Sequence, residues 1–481
     1  MSGTATIGID LGTSSAKVLA LSADDTVLAV GSGGFPTRAE EAGQAEQDQR
    51  DWMDAIAAAA QSVARGLGDI SVTGIGLTGQ MPTLVCHTRS GEAVPAITWR
   101  DGRADAGVAR HLDEAARADM YRRTGMPIDG RYLAPMLRHH FAGRLADIAR
   151  IMSAKDAICH ALTGQYVTDP STAAGYGVYG LDAGAWDSDL LAFWGIDPAI
   201  LPRIDSADAV AGTLLPAAAT QLGLAAGIPV TVGAADSVCA ALAVAGCAEG
   251  TVCVGWGSST VILDAVPAIR LDPERRYLVT PHALPGWFGR EMDLVATGTG
   301  HQWLRETMGW AEGELETLAS RSPPGARGLL FAPYLGDGEQ GALWNPDLRG
   351  VIHGLSLRHR REDIARAFLE GTVYEIRRCS EVLGQSGQVD RVVLAGHPAS
   401  SRFTLHLLAD ILRRPVAPVR DVSAAAYGAA LLARQSPGDR GRPIAAGPAA
   451  FPGPQAGIYE ALYDRYRATF PALAAAAPGG G

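Results

Sequence analysis

Lysine is almost absent from this sequence: Lys17 and Lys155 are the only two in 481 residues, and arginine supplies the other cations. Charged residues are only 19% of the chain, and acidic residues outnumber basic ones to give a formal net charge of −10. Such a chain lacks the basic surface needed for non-specific binding to nucleic acid or anionic membranes. The composition therefore favours an enzyme that acts on a small molecule.

Paired cysteines and long apolar runs are also absent. The six cysteines are scattered and none forms a C-x-x-C pair, which argues against structural zinc and a disulfide framework. The longest stretch poor in charge, residues 209–255, is interrupted by prolines and repeated glycines and is too broken to span a membrane. The N-terminus shows no signal region. We expect a cytoplasmic protein in which residues 209–255 form buried core.

The chain shows one pattern twice: a strand, a turn of small residues, a strand, and later a helix of Ala, Gly and Ser. The first pass ends with the predicted helix 237–245 and the second with the predicted helix 423–433. We predict an α/β protein with two related domains, 1–245 and 246–481. The two helices are expected to pack closely, because small side chains let backbones approach. Further predicted elements are strands 7–10, 17–21, 72–77, 83–87, 229–232, 251–254, 260–263 and 389–394, helix 52–66, and mainly helical structure over 103–162.

The first turn follows an apolar strand that ends in Asp10. Burying an ionised carboxylate is costly unless a cation pairs with it. A glycine and hydroxyl residues come next, Gly12, Thr13 and Ser14, so the turn has N–H and hydroxyl groups for phosphate oxygens, while Mg²⁺ would neutralise Asp10. A plain β-hairpin capped by Asp10 is the alternative.

The second turn, with Gly257, Ser258 and Ser259, repeats this chemistry about half a chain later. One Gly/Ser turn is commonplace. Two such turns, each between apolar strands, fit a pair of loops that hold one polyphosphate between two lobes.

Asp236 is the best single candidate for catalysis. It is almost alone in the stretch poor in charge, at a predicted strand-to-helix turn. In a phosphoryl-transfer enzyme such an aspartate accepts the proton of the attacking hydroxyl. The alternative is a helix N-cap, the commonest role of an aspartate before a helix.

Two polar clusters are candidate sugar contacts. Sugar sites combine an apolar or aromatic surface with planar polar groups that bond hydroxyls. Ordinary turns with surface ions are the alternative for both clusters. Their residues are Gln80, Met81 and Pro82 in the first, and Trp99, Asp101 and Arg103 in the second.

These pieces, in this order, resemble the FGGY carbohydrate kinases, and among them the xylulokinases. Residues 9–14 resemble the first phosphate loop of the family, residues 45–52 its E-Q-D…W segment, and residues 99–103 its W-x-D-x-R motif. Residues 153–164 resemble its K-D…L-T-G motif, and 233–236 the loop of its catalytic aspartate. The segment 350–371 follows its second signature nearly position for position.

The resemblance implies a two-domain actin-like (ribonuclease H-like) ATPase fold with ATP and Mg²⁺ in an interdomain cleft. Asp236 would be the base, and Asp10 and Asp236 would bind the metal. The sugar would contact the two polar clusters, Asp236 and Ser237. A homodimer is plausible for the family. The nucleotide would be held by Asp10, Gly12, Thr13, Ser14, Lys17, Gly257, Ser258, Ser259, Gly300, Gly396, His397 and Ser400.

The departures from the family pattern concern the substrate and the nucleotide. Pro82 stands where xylulokinases usually have a histidine, and Ser237 where the family usually has asparagine. The adenosine loop, commonly G-G-G-A, appears here as residues 395–400, with Gly396 followed by His397. The expected function is phosphorylation of D-xylulose or a related ketose or polyol. The alternatives are a kinase for ribulose, gluconate or a deoxy sugar, and a regulator that binds sugar or nucleotide without catalysis.

Overall fold

The computed structural model describes residues 3–476 except 106, 109–111, 337–340, 346–347, 421 and 435–440, with side chains described as far as residue 469. None of the helices in these ranges is both long enough and apolar enough to cross a membrane.

The first half of the chain forms short strands and helices around one large sheet. Its strands are β1 (Thr4–Leu11), β2 (Ser15–Ser22), β3 (Val27–Gly34), β4 (Glu46–Gln47), β5 (Ser71–Gly79), β6 (Thr83–Thr88), β7 (Ala96–Thr98), β8 (Ile148–Met152), β9 (Val167–Thr168), β10 (Tyr179–Gly180), β11 (Ala185–Trp186), β12 (Arg203–Ile204), β13 (Val210–Thr213), β14 (Pro229–Thr231) and β15 (Ala234–Ala235). Its helices are α1 (Gln49–Leu67), α2 (Glu114–Thr124), α3 (Leu133–His140), α4 (Ala154–Thr163), α5 (Pro170–Ala174), α6 (Ser188–Trp194), α7 (Pro216–Leu222) and α8 (Asp236–Ala245).

The second half forms another sheet with longer helices. Its strands are β16 (Thr251–Trp256), β17 (Thr260–Val266), β18 (Leu278–Pro281), β19 (Phe288–Leu294), β20 (Leu330–Ala332), β21 (Val351–His353), β22 (Arg391–Ala395) and β23 (Val416–Pro418). Its helices are α9 (Gly298–Met308), α10 (Glu314–Ala319), α11 (Arg361–Gly384), α12 (Arg402–Leu412), α13 (Ala424–Leu432) and α14 (Ala456–Ala476).

The two large sheets share one arrangement at their centres. In the first, of order β13-β14-β5-β1-β2-β3 with β15 also paired to β5, β1 is antiparallel to β2 and parallel to β5. In the second, of order β18-β19-β17-β16-β22-β23, β16 is antiparallel to β17 and parallel to β22. Loops after parallel strands emerge at one edge, where α/β proteins bind ligands. Both small-residue turns follow such strands.

The small-residue helices α8 and α13 are in direct contact, as the sequence predicts. A Cβ atom added at Gly428 of α13 would lie 2.0 Å from the carbonyl oxygen of Cys239 in α8. The helix α13 also covers the first sheet: Cβ atoms at Gly8 and Gly76 would lie 1.8 Å from carbonyl oxygens of α13. Glycine is required where backbones approach this closely. A helix from the second half of the chain therefore completes the packing of the first sheet.

The sequence prediction is wrong in some local details. Residues 103–162 are not mainly helical throughout, because β8 lies between two of the helices and pairs with β6. The strand before the second small-residue turn is longer than the predicted 251–254, because β16 continues through Gly255 to Trp256. A two-residue strand, β15, was also missed, and it has a direct consequence for the site.

Candidate active site

Three parallel strands bring the two candidate aspartates together. Asp10 is in register with Thr78 of β5, and Thr78 is in register with Ala234 of β15. Neighbouring strands are about 4.8 Å apart, and Asp236 directly follows β15 as the first residue of α8. Asp10 and Asp236, distant in sequence, therefore lie at the same edge of the first sheet.

Both carboxyl groups have raised pKa values. Burial and, to a smaller extent, the nearby Asp236 raise the pKa of Asp10 to about 7, while its cross-strand neighbour Lys17 opposes the shift. Burial raises the pKa of Asp236 to about 6, against the effect of backbone hydrogen bonds. Such shifts arise when carboxyl groups are desolvated near like charge, and they are relieved by a cation.

The residues present fit a magnesium ion that takes its remaining ligands from the substrate. The Oδ1 atom of Asp10 is buried and has no hydrogen-bond partner among the described residues. The described ranges hold no cluster of three or more His, Cys, Asp or Glu side chains able to bind a metal on their own. Mg²⁺ commonly uses one or two carboxylates and takes its other ligands from water and phosphates.

Asp236 is not the N-cap of α8. Ala235 occupies the cap position, and Asp236 is the first helical residue, with its Oδ1 accepting a hydrogen bond of 2.9 Å from the Ser237 N–H. The N-cap alternative is therefore wrong. The carboxylate lies at the positive end of the helix dipole, which favours its ionised form.

The first small-residue turn joins β1 to β2 as a hairpin and also contacts the candidate sugar residues. The Gly12 N–H donates to the Ser15 carbonyl at 3.0 Å, which closes the turn. Trp99 Nε1 donates to Thr13 Oγ1 at 3.3 Å, and Gln47 Nε2 donates to the Thr13 carbonyl at 2.7 Å. The turn is therefore a β-hairpin, and it also lies beside the candidate sugar residues. Ser14 is exposed at its tip.

Gln80 carries an unused acceptor at this edge. Its Nε2 donates to Gln47 Oε1 at 2.8 Å, and the same oxygen accepts from Trp52 Nε1 at 3.0 Å. The Gln80 Oε1 atom is buried without a partner among the described residues. A buried orphan acceptor is unfavourable until a donor such as a substrate hydroxyl reaches it.

Asp101 and Arg103 bond to each other rather than standing free as surface ions. Asp101 is fully buried and accepts from the Ala45 N–H at 2.9 Å and from Arg103. Arg103 also forms an ion pair with Glu46 at 2.6 Å. The surface-ion alternative is wrong for this pair. Asp101 orients Arg103, and Arg103 is the member that keeps some exposure.

Met81 and Pro82 are half-buried, and the peptide bond between them is cis. A Cβ atom at Gly175 would lie 2.7 Å from Met81 Cγ, so the methionine packs against that backbone. Met81 also contacts the apolar cluster that includes Val238 of α8. The pair therefore forms an apolar surface next to the start of α8.

The candidate nucleotide loops converge at the edge of the second sheet. A Cβ atom at Gly298 would lie 2.2 Å from the Gly257 carbonyl oxygen, and the Thr299 N–H donates to the Ser258 carbonyl at 3.0 Å. Gly396 has a φ of 99°, and a Cβ there would lie 2.2 Å from the Trp256 carbonyl oxygen. Three loops thus meet with their backbones in contact.

The remaining candidates surround these loops. Gly300 lies in the first turn of α9 against Phe368, and a short 3₁₀ helix spans His397–Ser400. His397 and Ser400 are exposed, as are Gly257 and Ser258, while Ser259 is half-buried. The structure therefore brings all the candidate nucleotide residues of the second half to one edge.

Sequence reasoning missed two carboxylates from β19. Glu291 is buried, and its Oε2 accepts a hydrogen bond of 2.7 Å from Ser237 Oγ, a contact between the first and second halves of the chain. Burial raises the pKa of Glu291, and that of Asp293 to about 7, with Asp236 adding to both shifts. The available signal was their i, i+2 spacing in a strand, which places both on one face.

Sequence reasoning also missed what Lys155 does. Its buried Nζ lies 2.9 Å from Asp156 and 3.3 Å from Asp169, and it donates to the Val232 carbonyl at 2.9 Å. Burial opposes its charge, but the two carboxylates hold its pKa above the usual value. Because Val232 precedes the loop that carries Asp236, Lys155 helps to position that loop.

Comparison with known proteins agrees with this geometry. The N-terminal domain of the FGGY family of carbohydrate kinases matches residues 5–243, and the C-terminal domain matches residues 257–435. The chain is 27% identical to a gluconokinase of Bacillus subtilis (89% of this chain, 86% of that protein) and 27% identical to a xylulose kinase of Staphylococcus xylosus (89% and 90%).

A ligand-bound xylulose kinase from Lactobacillus acidophilus has a crystal structure that superposes with a TM-score of 0.92, at 25% identity, covering 98% of this chain and 99% of that one. The predicted two-domain actin-like α/β fold is confirmed by this match. The predicted family is confirmed by the domain matches. The chain belongs to the FGGY family of carbohydrate kinases and is a phosphotransferase.

Proposed function

We propose that this protein transfers the γ-phosphoryl group of ATP, bound with Mg²⁺, to a hydroxyl of a small neutral sugar, with D-xylulose or a related ketose or polyol as first candidate. The observation that carries the proposal is the meeting of Asp10 and Asp236, both with raised pKa values, at one edge of the first sheet. The edge of the second sheet carries the glycine and serine loops that such a nucleotide would need.

Asp236 acts as the general base. The sugar hydroxyl attacks the γ-phosphorus, the bond from that phosphorus to the β-phosphate oxygen breaks, ADP leaves, and the hydroxyl proton passes to Asp236. A pKa of about 6 leaves the carboxylate mostly ionised near neutral pH yet more basic than an exposed aspartate.

Asp10 is the residue we assign to the metal, together with Asp236. When bound, Mg²⁺ neutralises charge on the phosphate groups and on the two carboxylates. The buried, unpartnered Oδ1 of Asp10 supports this role. Lys17, opposite Asp10, and the first turn at Gly12, Thr13 and Ser14 hold phosphate from the first lobe.

The nucleotide is held on the other lobe. We assign phosphate contacts to the turn at Gly257–Ser259, and the adenosine to Gly300 and to the loop of Gly396, His397 and Ser400. Closure of the lobes excludes water, which would otherwise accept the phosphoryl group.

The charges around Asp236 favour a neutral substrate over a sugar acid. Glu291 and Asp293 lie beside it, and the raised pKa values of both carboxyl groups show that this region already disfavours negative charge. Arg131, whose charge lowers the pKa of Asp293, is paired with Asp129, and Arg103 of the second polar cluster is paired with Asp101 and Glu46. A gluconate carboxylate would have to compete for one of them. Gluconate remains the second candidate because the Bacillus subtilis relative is a gluconokinase.

The test is coupled ADP release with a panel of xylulose, ribulose, deoxy sugars, glycerol and gluconate. We expect turnover with a neutral ketose or polyol and weak turnover with gluconate. A clear preference for gluconate would overturn the assignment of a neutral substrate. ATP binding without turnover on any sugar would favour the non-catalytic regulator. The same preparation, analysed by sedimentation, tests the expected homodimer, and fractionation of the source cells tests the expected cytoplasmic location.

A further inference from the structure

A cleft lies in the second half of the molecule, outside the loops assigned to ATP. One wall is the segment 320–327 after α10, the other is α12, and residues 453–455 close an end. Its volume is about 1010 Å³, at the upper end of the range for small-molecule sites. None of its lining residues belongs to the turn at 257–259, to the start of α9 or to the loop 396–400. We call it the arginine cleft.

The arginine cleft is positively charged in an acidic protein. Arg321, Arg327, Arg366 and Arg402 line it, with Asp410 as the lining carboxylate. The chain as a whole carries a formal net charge of −10. A local concentration of one sign of charge, opposite to that of the molecule, attracts ligands of the other sign to that place.

Two of the four arginines, Arg321 and Arg402, have unused hydrogen-bond donors. Arg366 is paired with Glu370 at 2.6 Å, and Arg327 lies 3.4 Å from Asp363. Arg321 and Arg402 are exposed and make no ion pair within the described part of the chain. Their guanidinium groups retain the fork of N–H donors that binds phosphate in a bidentate manner.

Asp410 forms no ion pair with these arginines among the described residues. Its Oδ1 accepts a hydrogen bond from the Gly453 N–H, which joins the end of the cleft to α12. The N-terminal turn of α12, with Arg402 and Phe403, forms part of the wall. The positive end of that helix dipole therefore adds to the charge of the arginines.

The wall that presents Arg327 has a strained backbone. Gly325, Ala326, Arg327 and Gly328 have consecutive positive φ angles of 77°, 46°, 55° and 93°. Left-handed conformations cost roughly 1–2 kcal/mol for a residue with a side chain. Such strain persists only where the surroundings enforce it, and it clusters at functional sites.

The buried network below the turn enforces this conformation. The Gly325 N–H donates to Glu370 Oε1 at 3.0 Å, and the same carboxylate is held by Arg366 and by the Tyr459 hydroxyl at 2.8 Å. The turn places Arg327 at the wall of the cleft.

We infer that the arginine cleft binds a small phosphorylated anion, a sugar phosphate or a nucleotide, at a site separate from the ATP loops. Guanidinium groups from both walls bond the phosphoryl oxygens, and the first turn of α12 adds its dipole. The inference does not depend on which sugar the enzyme phosphorylates.

The test is calorimetric titration of the full chain with inorganic phosphate, ribose 5-phosphate and AMP. The variants are Arg321→Glu, Arg402→Glu and the double substitution, and Arg65→Glu on the exposed face of α1 is the matched charge control. Each cleft substitution should weaken binding of the preferred probe by about 10–100-fold, the range for losing a charged hydrogen bond. The ATP loops are untouched, so the lost binding reports the cleft.

The preferred probe identifies the source of the phosphate: ribose 5-phosphate indicates a sugar phosphate, and AMP a nucleotide. The proposal is overturned if no probe binds the wild-type protein, if the double variant binds as tightly as the wild type, or if Arg65→Glu weakens binding equally. Thermal unfolding of each variant checks the fold, and Arg402→Gln replaces any variant that is unstable.

Discussion

The edges of the two sheets that carry the candidate residues differ in what they present. The first edge presents side-chain charge: Asp10 and Asp236 are forced together, and burial raises both pKa values. The second edge presents backbone, because the missing Cβ atoms of Gly298 and Gly396 let their loops touch the backbone of Trp256 and Gly257. Phosphoryl transfer needs a base and a metal on one side and a close-fitting nucleotide site on the other. The two sheets share one strand arrangement but present different chemical groups at this edge.

Loss of the base should have the largest effect. In Asp236→Asn the amide cannot accept the hydroxyl proton, and we expect kcat to fall by about 10²–10⁴-fold. ATP binding, measured by calorimetry, should persist because the second edge is intact. A variant with more than a tenth of wild-type kcat would show that Asp236 is not the base.

The charge on the first edge should appear as a pH dependence of stability. The pKa of Asp10 is raised in the folded state to about 7 from 3.8, so the folded protein binds the proton more tightly. In metal-free buffer the contribution of Asp10 to the free energy of unfolding is fully present below about pH 4 and is lost as the pH rises through about 7. The Asp10→Asn variant has no carboxyl group to ionise, so it avoids up to about 4 kcal/mol of the stability that the wild type loses.

Chemical denaturation of Asp10→Asn and wild type across this pH range measures the difference between them. The stability of the variant relative to wild type should rise with pH. Added Mg²⁺ should reduce the gap, because the ion stabilises the ionised carboxylate in the wild type only. Parallel curves would show that Asp10 is not desolvated in this way.

The second edge should respond through the nucleotide. In Gly396→Ala the new Cβ meets the Trp256 carbonyl oxygen, and φ is 99°. We expect a cost of about 1–3 kcal/mol and a rise in KM for ATP that exceeds any change in KM for the sugar. Steady-state kinetics with each substrate varied separates the two. A selective rise in the sugar KM would contradict the division between the edges.

The contact between the edges should have the smallest effect. Ser237→Ala removes the hydroxyl that donates to Glu291 and leaves a buried carboxylate with one donor fewer. A loss of about 1 kcal/mol in unfolding free energy and a few-fold fall in kcat are expected. A double-mutant cycle with Glu291→Gln isolates the pair, and additive effects would show that the bond does not couple the two halves.

Much of the fold and several site residues were predictable because their signals are local. The strand ending in Asp10, the turn after it and the helix after Asp236 follow from apolar runs, small residues and one isolated charge. The close contact between α8 and α13 was predictable because alanine and glycine are conspicuous in sequence. Glu291 and Asp293 were missed, since a charged residue in a strand reads as solvent-facing unless the packing on both sides is known.

The buried state of Asp101 was missed for a similar reason. Its carboxylate looks like a surface ion in sequence, and only the tertiary structure supplies Ala45 and Arg103 as partners. Lys155 was noted for its rarity, but its contact with the Val232 carbonyl joins segments far apart in the chain. Partners of this kind leave no periodic signal.

The sequence by itself determined the α/β class, the two small-residue turns and the family, because periodicity, glycine placement and motif spacing are properties of neighbouring residues. The tertiary structure alone decided that Asp10 and Asp236 share one edge, that α13 covers the first sheet, and that four arginines line one cleft. Each of these depends on strand order and helix docking. Contacts between distant segments fix both, and they exist only after the chain has folded.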